Sequence, residues 1–219
     1  MTRLYFPSFL FALLLMTVSC EDDFKYSGSD CWSGEFAELQ NLKAHYEKEL
    51  AAYYQLDRPV NADDYRNIIT STSTVSVDMQ LYSDMDAIQK AAIIKSDPIH
   101  KLIWDKNSSV KKRLYEKEEA ERKKAGQPSQ EFKHEMRHGD YYILNPHSDF
   151  YNCLISVTSS QPFKDYLIST QTMQEVRPVN AARSILEVNA FDDEAVQYYI
   201  MLQFFYDYTF KLNRIHKVE

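Results

Sequence analysis

The chain has 219 residues and a formal net charge of −7 at pH 7. This length fits one domain, or at most two, and is large enough to bury a substantial core. The acidic balance, with no basic domain, argues against a nucleic-acid partner. The sequence also has no P-loop, GxGxxG, GxSxG or CxxC motif, so nucleotide-binding, α/β-hydrolase and thiol-redox functions have no motif in their favour.

The first 19 residues have the layout of a secretory signal. Arg3 is followed by an apolar run from Phe9 to Val18. This run of about ten residues is well short of the ~20 that a membrane-spanning helix needs. We therefore expect residues 1–19 to be cleaved, which takes the formal charge from −7 to −8 because Arg3 is their only charged residue.

The next residues resemble the lipobox of bacterial lipoproteins. Small Ser19 directly precedes Cys20, although Thr17 stands where that family usually has Leu or Val. In the family, the cysteine sulfur is lipidated and cleavage makes the cysteine the new N-terminus. The resemblance implies that Cys20 is the lipidation site. The alternative is ordinary signal cleavage nearby, which would leave Cys20 as a plain thiol.

An acidic tether follows Cys20. The cluster from Glu21 to Asp23 resembles the signal that exports lipoproteins to the outer face of the outer membrane in some Gram-negative bacteria. A soluble polar spacer is the simpler alternative. We predict a lipidated cysteine and tether over residues 20–33 in an outer-membrane lipoprotein facing the periplasm or the cell surface. Its acyl chains would make the membrane contact.

Two cysteines remain if Cys20 is acylated, and they lie far apart in the chain. In an oxidising compartment Cys31 and Cys153 can form a disulfide. Closing so long a loop is worth up to ~5 kcal/mol in the chain-entropy model. The alternative is a pair of buried, unbonded thiols.

Residues 34–219 are predicted to form a single compact, mainly α-helical domain. Glycine is scarce, with four in the whole chain, and charged and aromatic residues recur at spacings of three and four. Residues 71–77, STSTVSV, are the best strand candidate and are treated as a loop or an isolated edge strand. The predicted helices cover residues 35–56, 85–94, 107–126, 128–139, 162–172, 178–186 and 192–217.

The first and last of these helices carry the clearest apolar stripes. A helix with such a stripe buries it against the core. Tyrosines suit these positions, because the ring is buried while the hydroxyl keeps a polar partner; an aromatic sugar-binding groove is the alternative. The predicted core residues are Phe36, Leu39, Leu42, Tyr46 and Leu50 in the first helix, and Val196, Tyr199, Ile200, Phe204, Tyr206 and Phe210 in the last.

The helix over 107–126 is strongly charged. Residues 106–124 contain eight Lys or Arg and four Glu, a net charge of +4. Ser108 or Ser109 is its expected N-cap, and Glu118 with Arg122 and Glu119 with Lys123 are its expected ion pairs. Such a positive arm can contact an acidic partner or anionic head groups. A solvated helix face is the alternative.

The HEMRH stretch at 134–138 resembles the HExxH motif of zincin metallopeptidases. On a helix, positions i and i+4 lie on one face. The resemblance implies that His134 and His138 bind Zn²⁺, and that Glu135 takes a proton from a zinc-bound water with a pKa near ~7. Lys133 and Arg137 depart from the family, which usually has uncharged residues there. The alternative is a solvated helix whose histidines bind nothing.

A catalytic zinc also needs a third protein ligand. Tyr141 and Leu144 stand where the metzincin extension requires Gly and His, so that branch is excluded. Glu194 resembles the glutamate that the gluzincin branch supplies from a later helix. Weaker candidates for the third ligand are Glu175, Glu187 and His147.

Two functions are consistent with these features. The first is a lipid-anchored cell-envelope protein that binds a protein or ligand without catalysis, such as an accessory subunit or an immunity or inhibitor protein. It requires no cofactor, and its contacts are the membrane, through the lipid, and a protein partner. The second is a zinc-dependent, metallopeptidase-like hydrolase with zinc as its cofactor.

Overall fold

The computed structural model describes residues 31–74, 80–83, 90, 94, 97–132, 141–173 and 176–212. Helices predominate in these ranges, and the only sheet in them has two strands. Their buried apolar side chains form one core cluster, apart from Val110 and Leu114, which are buried but lie outside it. The prediction of a compact, mainly α-helical fold is confirmed.

The described elements are bounded as follows. The helices are α1 (Glu38–Tyr53), α2 (Ala62–Ser73), α3 (Gln80–Ser83), α4 (Pro98–Ile103), α5 (Asn107–Lys124), α6 (Asp149–Val157), α7 (Gln161–Thr170), α8 (Pro178–Val188), α9 (Glu194–Ile200) and α10 (Asp207–Leu212). A 3₁₀ turn (Gly34–Phe36) precedes α1, and a π-helical segment (Met201–Tyr206) joins α9 to α10. The strands are β1 (Trp104–Lys106) and β2 (Tyr142–Leu144).

Helix α1 buries the predicted stripe, and backbone hydrogen bonds define its end. Gln55 adopts a left-handed conformation with φ of 52°. The Leu56 N–H donates to the Ala51 carbonyl at 2.9 Å, and the Gln55 N–H donates to the Ala52 carbonyl at 3.2 Å. This Schellman pattern satisfies the last carbonyls of the helix. It stops α1 at Tyr53, before the predicted end at Leu56.

Helix α2 begins with a capping box. The Asn61 side chain accepts from the Asp64 N–H, and the Asp64 carboxylate accepts from the Asn61 N–H at 2.9 Å. Arg58 donates to the same carboxylate at 2.7 Å, and this hydrogen bond lowers the pKa of Asp64. These bonds satisfy backbone N–H groups in the first turn of α2 that have no partner within the helix.

The expectation of a loop or edge strand at 71–77 is wrong for residues 71–73, which are helical. Thr72 donates to the Ile68 carbonyl at 2.9 Å, and Ser73 donates to the Thr70 carbonyl at 2.8 Å. These bonds to the preceding turn let hydroxyl side chains remain in a helix. Residues 75–79 and most of the predicted helix over 85–94 lie outside the described residues.

The two short strands pair in antiparallel fashion, with Trp104 opposite Leu144 and Lys106 opposite Tyr142. Neither strand was among the elements predicted from the sequence. The Asn107 N–H donates to the Tyr141 carbonyl at 2.8 Å. This bond continues the pairing of the two strands into the first residue of α5. The helix therefore begins at Asn107, with Lys106 as its N-cap in place of the predicted Ser108 or Ser109.

The predicted long C-terminal helix consists of α9, the π-helical segment and α10 in succession. Its six predicted core residues are all buried. The Tyr206 hydroxyl donates to the Leu42 carbonyl at 3.0 Å and lies 3.0 Å from His45 Nδ1. This hydroxyl joins the C-terminal helix to α1 through buried polar contacts.

Cys31 and Cys153 are joined by a disulfide, with their Cα atoms 5.5 Å apart. Both residues are buried, so the structure has a bridge in place of two thiols. Trp32 stacks on Tyr198 with ring centroids 4.2 Å apart. Cys31 therefore belongs to the core and Trp32 packs against it, so the tether predicted to extend to residue 33 ends before Cys31.

Candidate functional site

The α5 arm, defined as residues 107–132, comprises α5 and the segment that returns along it. The first half of α5 is anchored in the protein by buried Val110 and Leu114. From Tyr115 to Lys124, Glu119 is the only buried residue. The second half of α5 therefore lacks an apolar face.

The chain reverses direction after α5. Gly126 has a φ of +67°, a conformation that glycine adopts without steric cost. The Gln127 N–H donates to the Arg122 carbonyl at 2.9 Å, which completes a Schellman ending. The start predicted for the next helix is wrong, because residues 128–132 are not helical.

The returning segment packs on α5 through side-chain contacts. The Tyr115 hydroxyl donates to the Gln130 carbonyl. The rings of Tyr115 and Phe132 lie 5.1 Å apart, and Phe132 remains 38% exposed. These contacts tie the end of the segment to the middle of the helix.

Glu119 is the polar centre of the α5 arm. Its carboxylate accepts from the Ser129 hydroxyl and from the Gln130 N–H, the latter at 3.2 Å. The Ser129 hydrogen bond is the main reason why the pKa of Glu119 is lowered. Glu119 therefore fastens the returning segment, while Lys123 adds only a longer-range electrostatic contribution. Sequence reasoning missed this role because the partners lie ten and eleven residues further along the chain.

Cations cover much of the remaining surface of α5. Lys117, Lys123 and Lys124 are exposed. Lys112 is 65% exposed and lies 3.9 Å from Glu116. At the base, Arg113 pairs with Asp105 at 2.7 Å. The outer part of α5 thus presents exposed cationic side chains on a helix that the returning segment holds through Glu119 and Tyr115.

The predicted zinc motif, His134, Glu135 and His138, lies outside the described residues, as do Cys20 and Glu175. Where the structure does describe the chain, no group of three or more His, Cys, Asp or Glu could hold a metal ion. The predicted zinc and catalytic roles therefore stay predictions.

The other proposed third ligands have different surroundings. Glu194 and Glu187 are exposed on α9 and α8. Glu194 is near enough to Tyr198 to help raise its pKa, after the larger effect of burial. The pKa of His147 is lowered, first because its exposed imidazole is partly desolvated, and then because of the charges of Arg113 and Lys117. These candidate third ligands stay predictions, because the histidines that they would join lie outside the described residues.

No family model, curated protein or solved structure matches this chain. Its function must therefore be inferred from its own residues. Of the helices that the structure describes, none is long and apolar enough to cross a membrane.

Proposed function

We propose that this chain is a lipid-anchored cell-envelope protein with a non-catalytic binding role, and that the α5 arm contacts an acidic protein partner. The observation that carries the proposal is the outer half of α5, which is held by the returning segment and leaves its lysines exposed. A helix that only stabilised the fold would bury an apolar stripe. The outer half of α5 has none, which favours a role at the surface.

The composition of the α5 arm favours a protein partner over anionic head groups. Membrane-surface helices combine basic residues with an apolar face that enters the head-group region, and the outer half of α5 lacks that face. Exposed Glu116, Glu118 and Glu121 alternate with its cations. Mixed charges suit a protein partner, because complementary pairs fix the register of an interface.

The expected role is that of an accessory subunit, or of an immunity or inhibitor protein. In either case the lysines would mainly accelerate association with the acidic partner. The lipid at Cys20 would keep the domain at the outer membrane. Binding should weaken as ionic strength rises, because salt screens exposed charges.

Charge reversal on the α5 arm tests the proposal. The assay is recovery of a stoichiometric acidic partner after cross-linking in native envelopes. We expect the triple variant Lys117→Glu, Lys123→Glu and Lys124→Glu to reduce this recovery by at least roughly 10-fold. The matched control reverses Lys48, Lys101 and Arg183, which are exposed outside the α5 arm. It changes the net charge equally and should retain the partner.

Two outcomes would contradict this function. If the two triple variants recover equal amounts of the partner, the α5 arm is not part of the interface. Binding of the wild-type protein to phosphatidylglycerol vesicles is the basis of the second outcome. If only the α5-arm variant loses that binding, the lysines contact the membrane and not a protein.

The HEMRH spacing favours a second candidate function, a zinc-dependent hydrolase. It predicts about one zinc per chain in protein purified without chelator or histidine tag, and loss of that zinc in His134→Ala. Glu135→Gln should keep the metal and lose peptidase activity, because only the general base is removed. Elemental analysis and a broad peptide panel provide the readouts. A wild-type protein without zinc would rule this function out.

A further inference from the structure

A cleft of about 330 Å³ is lined by residues of α4, β1 and β2. Clefts that bind small molecules begin at roughly this size, ~300 Å³. The described residues of the lining are His100, Lys101, Trp104, Asp105, Lys106 and Tyr142. Half of them carry aromatic rings and the other half are Lys or Asp, so the cleft combines flat rings with charged groups.

The rings of the cleft contact one another. His100 stacks on Trp104 with ring centroids 5.4 Å apart, and it meets Tyr142 edge-on at 4.8 Å. His100 and Trp104 are buried, whereas Tyr142 is half-buried. Trp104 also packs edge-on against Phe210 of α10, with ring centroids 5.3 Å apart. These contacts fix the positions of the rings, so the aromatic part of the cleft is preformed.

The pairing of β1 with β2 places a lysine beside these rings. Successive side chains of a strand point to opposite faces of the sheet, so Trp104 and Lys106 share one face. Tyr142 is directly opposite Lys106 in the register, and side chains at opposite positions of an antiparallel pair are neighbours on the same face. Lys101 follows His100 in α4. The cleft therefore receives one lysine from the sheet and one from a helix.

The charged groups of the lining leave an excess of positive charge. Asp105 Oδ2 pairs with Arg113, which lies outside the lining, at 2.7 Å, and Asp105 Oδ1 accepts from the Lys106 backbone N–H at 2.7 Å. Lys101 is exposed and Lys106 is half-buried. With the residues that the structure describes, neither lysine forms an ion pair or a hydrogen bond through its ammonium group. Arg113 thus compensates Asp105, and the ammonium groups of both lysines can bind an anion.

We propose that this cleft binds a small aromatic carboxylate, with Lys101 and Lys106 as the partners of its carboxylate group. Ammonium groups donate charge-assisted hydrogen bonds to a carboxylate. The ring of the ligand packs against Trp104 and Tyr142, because aromatic rings favour edge-on or offset contacts with one another. Neither lysine belongs to the α5 arm, so this site goes beyond the interface proposed above and can be tested without it.

A series of matched ligands tests the preference for charge and for an aromatic ring on the wild-type protein. In NMR titrations we expect phenylacetate to bind at least roughly 5-fold more tightly than phenylacetamide, because the neutral amide cannot form charge-assisted hydrogen bonds with the lysines. Cyclohexylacetate keeps the charge and lacks the aromatic ring, so it should bind at least roughly 3-fold more weakly than phenylacetate. If either comparison ligand binds as tightly as phenylacetate, the proposal is overturned.

The two tryptophans of the chain report where the ligand binds. Trp104 lines the cleft, whereas Trp32 stacks on Tyr198. Phenylacetate should therefore shift the NMR signal of the Trp104 indole N–H and leave that of Trp32 unchanged, with a Trp32→Phe variant assigning the two signals. A shift of the Trp32 signal alone would place the ligand elsewhere and overturn the proposal.

Removal of the two charges tests the lysines directly. The double variant Lys101→Gln, Lys106→Gln should weaken phenylacetate binding by at least roughly 5-fold and leave phenylacetamide binding unchanged. The matched control is Lys48→Gln, Lys164→Gln, which also replaces one exposed and one half-buried lysine, on α1 and α7. It removes the same net charge and should bind phenylacetate as the wild type does. Unchanged phenylacetate binding in the cleft variant, or an equal loss in both double variants, would overturn the proposal.

Discussion

Removing the Cys31–Cys153 disulfide is expected to lower the free energy of unfolding by about 5 kcal/mol. The bridged residues are 122 positions apart. In the chain-entropy model, a cross-link over such a loop removes conformations from the unfolded chain to about this extent. Denaturant unfolding of the Cys31→Ala, Cys153→Ala double variant, compared with the wild type, measures the effect. Alanine avoids introducing new polar groups at two buried positions.

Two controls isolate the bond from the substitutions. Reductant should destabilise the wild type and leave the double variant unchanged. The control variant Cys20→Ala removes the third cysteine, which is not part of the bridge. Its unfolding midpoint should equal that of the wild type. A wild type that unfolds at the same denaturant concentration with and without reductant would contradict the predicted stabilisation.

Phe205→Ala is expected to cost about 3–5 kcal/mol, because it empties a large buried site that neighbouring rings cannot readily fill. Phe205 is 1% exposed and lies in the π-helical segment. Its ring centroid is 5.0 Å from those of Tyr46 and Tyr206, and 6.1 Å from that of Tyr82. The substitution therefore loosens the contact between α1 and the C-terminal helix. Thermal or urea unfolding provides the measurement.

Ile168→Ala is the matched control for this prediction. Ile168 is also a large apolar residue, but it is 46% exposed. Surface truncations usually change stability by less than about 0.5 kcal/mol. If Phe205→Ala and Ile168→Ala cost the same, the aromatic contacts of Phe205 would not have the stabilising role assigned to them.

Helices with a regular apolar stripe could be predicted from the sequence, because their burial depends on local spacing. The stripe of α1 and the core positions of the last helix are examples, and all of them are buried. The change to π-helical geometry could not be predicted. Five of the six residues from Met201 to Tyr206 are buried, so their apolar pattern does not distinguish one helical period from another.

Features that depend on distant partners were missed. Strands β1 and β2 have three residues each, too few for an alternating pattern, and each exists only because the other pairs with it. The charge of α5 could be counted in the sequence, but the hydrogen bond from Ser129 to the Glu119 carboxylate could not be predicted. A cavity beside the C-terminal helix is lined by residues from Val110 to Asp207, and no local pattern brings those segments together.

The disulfide also determines how the domain would carry mechanical load. The bond from Cys31 leads directly to Cys153 in α6. Tension applied to the chain before Cys31 therefore passes through the sulfur atoms to Cys153 and onward to the C-terminal helix. Helices α1 to α5 and both strands lie in the covalent loop between the cysteines and are shielded from that tension. Tension on the N-terminal segment of the chain would thus leave the packing of α1 against the core unchanged.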